Sequence, residues 1–138
     1  MKSSMAPKGR CYVDTSAFIA FLDASDSYHP LFRRLFAAPP PLTTSALVVA
    51  EGHGWFLRRY DQRRSAQFLA FISILPDLTI RGFDAGELDK ARGIAKKFGD
   101  QNLTLADAHG LTIMREDLPE CCWSTDRHLS LDGVPLVR

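Results

Sequence analysis

Four acidic residues occupy positions at which a carboxylate is either costly or poised for chemistry. Asp14 directly follows the apolar run Cys11–Tyr12–Val13, and Asp126 follows Cys122–Trp123–Ser124–Thr125, so each is expected at the carboxyl end of a strand. On a helix, Glu51 lies one turn from both Leu47 and Trp55, and Asp107 shares a face with Leu111, Met114 and Leu118, so two acids stand inside apolar stripes. Burying an ionised carboxylate without compensation costs several kcal/mol, so such acids call for a cation, a basic partner or a water-filled cleft. Each also has a local explanation. Asp14 suits a strand terminator or helix cap, Glu51 an edge position reaching water or an arginine, and Thr104–Leu105–Ala106–Asp107 fits a capping box. Asp100, in the preceding loop, reads as a solvated aspartate or a fifth member of the set.

Gathered at one point, Asp14, Glu51, Asp107 and Asp126 would repel one another unless a multivalent cation sat among them. Oxygen donors select hard ions, Mg²⁺ or Mn²⁺, and carboxylate-held ions of this kind suit phosphoryl chemistry. His29, His53, His109 and His128 show no zinc-ligand spacing, and His29 and His109 lack any paired Ser or Cys nucleophile, so triad chemistry is unsupported.

The elements that must position these acids follow from hydrophobic periodicity. Cys11–Val13 reads as a strand, with Thr15 or Ser16 capping a helix over Ala17–Leu22; Pro30 opens an amphipathic helix through Phe36, closed by the connector Pro39–Pro41. A short strand at Leu42–Thr43 leads to a helix capped by Thr44 or Ser45 that carries Glu51, followed by a helix over Ser65–Leu75. Leu78–Ile80 is a third strand, and Asp84 with Glu87 forms an acidic capping pair for the next helix, stopped by Gly99. Thr104 opens the last helix, after which Cys121–Trp123 and Leu136–Val137 are candidate final strands. Strands alternating with helices predict a three-layer α/β/α sandwich around a mostly parallel sheet of four to five short strands, whose ligand site lies at the carboxyl edge of the sheet. The helix bearing Glu51 is expected to pack against the first strand.

Composition sets the outer bounds. The chain has 138 residues, 46% hydrophobic and 24% charged, with a formal net charge of +1, which fits one globular domain over residues 10–138 behind a flexible tail at 1–9. The longest apolar stretches fall far short of the ~20 residues needed to span a bilayer, and the basic start leads into no signal-peptide core, so a cytoplasmic protein without membrane attachment is expected. Cys11, Cys121 and Cys122 form no even-numbered framework and read as reduced thiols in the sheet. Near-neutral charge disfavours a broadly basic nucleic-acid coat, yet the pairs Arg33–Arg34, Arg58–Arg59, Arg63–Arg64 and Lys96–Lys97 read either as solvated faces or as a phosphate-binding rim. Trp55 and Trp123 read as core residues rather than base-stacking platforms.

The segments YVDTSAFIAFLD, TTSALVVAEGHG, LTLADAHGLTIM and WSTDRHLSLDGVPLV occur in the order and approximate spacing found in PIN-domain ribonucleases, and the chain resembles the VapC-type toxins of bacterial type II toxin–antitoxin modules over residues 10–137. This resemblance implies that Asp14, Glu51, Asp107 and Asp126 form an acidic quartet holding Mg²⁺ or Mn²⁺. It further implies that Ser16 supports the quartet by orienting an acidic ligand or a bound water, with Thr125 doing likewise for Asp126. The implied activity is metal-dependent endoribonuclease cleavage of RNA that inhibits translation. The implied assembly is a homodimer silenced by a small VapB-like antitoxin. The alternative is a catalytically inactive PIN-fold module that binds RNA or protein. Gly52 and Gly54 depart from the pattern, two helix-weakening residues beside Glu51. Other phosphoryl-transfer folds also place an aspartate after the first strand, but the second acid required by haloacid-dehalogenase-like phosphatases is here Ser16.

Overall fold

A computed structural model describes residues 9–137, so the expected tail lies outside the described residues except for Gly9. In chain order the elements are β1 (Cys11–Val13), α1 (Thr15–Leu22), α2 (His29–Ala37), β2 (Leu42–Ser45), α3 (Ala46–Arg59), α4 (Gln62–Ile74), β3 (Leu78–Arg81), α5 (Ala85–Lys97), α6 (Leu105–Asp117) and β4 (Cys121–Trp123), followed by a 3₁₀ turn at Arg127–Ser130. The four strands form one parallel sheet in the order β3-β2-β1-β4, with Cys11 facing Leu42 on one side and Cys121 on the other. The Leu136–Val137 strand reduces to a single parallel bridge between Cys122 and Leu136.

Alternation along the short strands builds the three layers. Val13 and Trp123 point to one face, into a core of Phe18, Phe32, Phe36, Phe56 and Phe68 supplied by α1–α4. Tyr12 and Cys122 point to the other, against Ala91, Ile94, Leu111 and Met114 of α5 and α6. The first core is largely aromatic, with Trp123 edge-on to Phe36 at 5.0 Å between ring centres and Phe68 stacked on Phe56 at 5.8 Å. Tyr12 enters the second core at a cost, because its buried hydroxyl has no hydrogen-bond partner among the described residues. The three cysteines are free thiols, Cys11 and Cys121 facing each other across β1 and β4.

Several boundaries differ from the sequence reading. Asp14, not Thr15 or Ser16, caps α1, because its carboxylate reaches the Ser16 amide. Asp61 caps α4 through the Arg64 amide, so that helix begins at Gln62 rather than Ser65. Leu118 lies beyond α6, 79% exposed and in a left-handed conformation, since Pro119 stops the helix before it. The inward face of α3 is displaced by one residue from the expected Leu47–Glu51–Trp55 stripe: Val48, Gly52 and Phe56 are buried, and Glu51 is exposed. Gly52 explains the shift. A Cβ there would lie 2.5 Å from Phe68 Cζ, so the bare backbone admits the ring and α3 closes chiefly onto α4 rather than onto β1.

Candidate active site

Parallel strands deliver their carboxyl ends to one edge, and the acids collect there. The Asp14 amide donates to the Trp123 carbonyl at 3.0 Å, which joins the ends of β1 and β4 and brings Asp14 beside the Ser124–Asp126 turn. Glu51 arrives two turns into α3, which Ser45 starts at the end of β2 by accepting from the Leu47 amide at 3.0 Å. Asp107 sits in the first turn of α6. All four acids line one open cleft of about 350 Å³, together with Thr15, Ser16, Ile19, Trp55, Arg58 and Thr104. Asp100 is exposed and does not line it.

Each carboxylate is held by neutral donors. Asp14 Oδ2 accepts from Ser16 Oγ at 2.9 Å and from Ser124 Oγ at 3.0 Å. Ser16 Oγ accepts from the Thr125 amide at 3.0 Å, and Ser124 Oγ accepts from the Asp126 amide at 2.9 Å. Ser16 thus bridges Asp14 and the turn after β4. Thr125, expected to support Asp126, is turned outward, while the neighbouring Ser124 is buried with its hydroxyl between Asp14 and the Asp126 amide. Glu51 accepts a hydrogen bond from the Thr15 hydroxyl. Asp107 does two things at once: it completes a reciprocal capping box with Thr104, at 3.1 Å in each direction, and faces the cleft. The capping pair of α5 is only half formed. Asp84 accepts from the Glu87 amide at 3.0 Å, while the Glu87 side chain turns away to His109.

Asp14 and Asp107 lie in surroundings that disfavour their charge. Burial raises Asp14 above its ordinary carboxylate range, outweighing the Ser16 and Ser124 hydrogen bonds. Burial likewise raises Asp107, with the charges of Asp126 and Glu51 adding to the effect. Among the described residues neither acid forms an ion pair with Lys or Arg, whereas acids elsewhere, such as Glu116 and Asp132, do. One neighbour went unforeseen in the sequence. His128 Nδ1 lies 3.2 Å from Asp126 Oδ1 and 3.9 Å from Asp107 Oδ2, and Asp107, Asp126 and His128 offer ligand atoms all within 4.8 Å of one another. An oxygen-rich donor set with unneutralised, partly desolvated charge fits a hard divalent cation.

Behind the cleft lies a second contact that sequence spacing hides. His109 does have a serine partner, 64 positions away: Ser45 Oγ is 2.6 Å from His109 Nδ1, and Glu87 Oε1 is 2.9 Å from His109 Nε2. Both Ser45 and His109 are wholly buried, so the trio cannot meet a substrate and serves to tie helices together.

With this geometry in view, comparison with known proteins is specific. The PIN domain family model matches residues 11–117. Among solved structures, VapC20 of Mycobacterium tuberculosis, described as a sarcin–ricin loop cleaving toxin, superposes with a TM-score of 0.84 at 26% identity over 93% of this chain and 98% of its own. A toxin–antitoxin complex from Klebsiella pneumoniae (17% identity, 93% and 96% coverage) and VapBC2 from Rickettsia felis bound to promoter DNA (12%, 93% and 97%) share the fold, each with a TM-score of 0.61. No curated protein gives a significant sequence match. A parallel four-stranded sheet flanked by six helices, an acid-lined carboxyl edge and a family match over most of the chain lead to one assignment: this chain belongs to the PIN-domain family and has the architecture of VapC toxins.

Proposed function

We propose that the protein is a metal-dependent endoribonuclease, the toxin of a toxin–antitoxin pair, that inhibits translation by cutting RNA in the cytoplasm. The observation that carries this reading is the convergence of Asp14, Glu51, Asp107 and Asp126 on one cleft in which, among the described residues, Asp14 and Asp107 have no Lys or Arg ion-pair partner. These four would hold Mg²⁺ or Mn²⁺, with His128 beside Asp107 and Asp126. Bound there, the ion would neutralise charge on a phosphodiester and favour attack by water. Ser16 and Ser124 hold the Asp14 carboxylate, Thr15 holds Glu51, and Thr104 fixes Asp107 through the capping box, so the acids are in place before substrate arrives.

The similar structures from Klebsiella pneumoniae and Rickettsia felis are toxin–antitoxin complexes, which supports a small VapB-like antitoxin as the natural partner. A homodimer is part of the same proposal. The RNA loop named for the Mycobacterium tuberculosis relative is the first substrate to offer. Cleavage of that RNA is to be measured with Mg²⁺, with Mn²⁺, with EDTA, and in the Asp14→Asn and Asp107→Asn proteins. Cleavage that survives chelation, or that persists undiminished in both folded variants, refutes the proposal. A non-catalytic binding module with the same fold would instead bind RNA, leave it intact, and show no metal-induced rise in melting temperature.

A further inference from the structure

We infer that the face of α3 carrying Glu51, Trp55 and Arg58 is the track on which the RNA strand beside the cut is laid, with Trp55 stacking a base and Arg58 holding a phosphate. This rests on the nuclease reading above and adds the residues that grip the substrate away from the acids. Positions 51, 55 and 58 fall on one helical face, and at 1.5 Å per residue Arg58 stands about 10 Å along the helix from Glu51. All three line the same cleft.

Arg58 is free for this task. Among the described residues it forms no ion pair, although four carboxylates share its cleft. Its neighbour Arg64 is committed, donating to the Leu22 carbonyl at 2.9 Å and lying over the Tyr60 ring at 4.4 Å, and Arg59 lies over the same Tyr60 ring, 5.2 Å from its centroid. Gly54 accounts for the position of the Arg58 head group: a Cβ on Gly54 would come 2.9 Å from Arg58 Nη1, so the missing side chain is what lets the guanidinium fold back along the helix. Trp55 is half-buried at the cleft wall, its ring fixed edge-on by Phe56 at 4.9 Å and Tyr60 at 6.1 Å. A fixed, partly exposed indole beside an unpaired guanidinium is the pairing that binds single-stranded nucleic acid by stacking and charge. An acid-lined cleft repels a polyanion, so a cation beyond the acids is needed to hold the strand.

The test uses the whole protein in EDTA, so that nothing is cut, with a fluorescein-labelled single-stranded RNA and a labelled stem–loop RNA, titrated by anisotropy across a salt series. Arg58→Ala is expected to weaken binding and to make the slope of log K against log salt shallower by about 0.7, the value for one phosphate contact on a single strand. Arg58→Lys should restore the slope. Trp55→Leu should weaken binding about tenfold with the slope unchanged and abolish RNA-induced quenching of tryptophan fluorescence, with Trp55→Phe intermediate. Gly54→Ala should raise the melting temperature yet weaken RNA binding, a split that a merely structural glycine would not produce. Arg33→Ala, on exposed α2, is the control. With Mg²⁺ restored, Arg58→Ala should raise KM with little change in kcat. If wild type cuts RNA but Arg58→Ala and Trp55→Leu bind it with unchanged affinity and slope, the track is overturned while the nuclease reading stands. Binding to a protein partner lost in these variants while RNA binding is intact overturns it equally, by making this face a protein interface. A wild type that binds RNA through Arg58 without cutting it sinks the nuclease reading alone.

Discussion

His109 Nδ1 lies 2.6 Å from the hydroxyl of Ser45, a buried contact that ties the N-cap of α3 to the second turn of α6. These are the helices that carry Glu51 and Asp107. His109→Leu removes the ring from between Ser45 and Glu87 and leaves a buried hydroxyl short of a partner. The expected loss is about 1–3 kcal/mol of stability by urea denaturation, accompanied by a smaller metal-induced rise in melting temperature than in wild type.

The acids themselves should dominate catalysis. Asp14→Asn, Glu51→Gln and Asp107→Asn are each expected to slow RNA cleavage by roughly a hundredfold or more, a few kcal/mol in the barrier. Single-turnover rates at saturating RNA measure this directly. Equal rates in wild type and all three folded variants would contradict it.

Stability should move the opposite way. Burial holds the native Asp14 above the ordinary carboxylate range, so the folded protein binds a proton that the unfolded chain has already released. Well below about pH 4 both states are protonated and the effect vanishes. As pH rises through the raised native value the folded state must ionise in a desolvated site, and stability falls; above it the full penalty persists. Metal-free wild type should therefore be less stable than Asp14→Asn near neutral pH, and the difference should close as pH drops toward the usual carboxylate value. Millimolar Mg²⁺ or Mn²⁺ should raise the wild-type midpoint and leave the variant unmoved, as differential scanning fluorimetry would show.

Gly52 and Gly54, two positions apart on α3, should respond differently to alanine. Gly52→Ala gains helix propensity of roughly 1 kcal/mol but drives a methyl group toward Phe68 Cζ, 2.5 Å away, where overpacking costs about 1–3 kcal/mol. Net destabilisation is expected in chemical denaturation, and Phe68→Leu in the same chain should recover part of it.

Tyr12 offers a change that costs nothing. Its hydroxyl is buried, unpartnered, and 3.0 Å from where a Cβ on Gly110 would lie. Tyr12→Phe removes a desolvated polar group without altering the ring, so stability should be unchanged or higher by about 1 kcal/mol. A clear loss of stability would reveal a partner for that hydroxyl.

The sequence carried the parallel α/β/α layout because Cys11–Val13 and Cys121–Trp123 are short apolar runs ended by polar residues and Leu42–Thr43 leads straight into a cap at Thr44 or Ser45, so a local rule reads each of them. Asp14 and Asp126 were visible as strand-end acids for the same reason, and Asp107 through its capping box. What stayed hidden depends on pairing across the chain. The Ser124 hydroxyl on Asp14 went unread because the β4 turn buries Ser124 and exposes Thr125, an alternation too short to assign in advance. Ser45 and His109 meet only because β2 and α6 lie side by side. The α3 stripe was misplaced by one residue because a glycine, Gly52, marks its buried line, and hydrophobicity counts bulk where packing here needed its absence.

The order of the sheet sets when the acidic cleft can be completed. β1 is synthesised before its neighbour β4, and the Asp14 carboxylate gains its Ser124 partner, 110 positions away, and its neighbour Asp126 only when β4 docks. A nascent chain whose β4 segment has not yet left the ribosome therefore has no finished cleft.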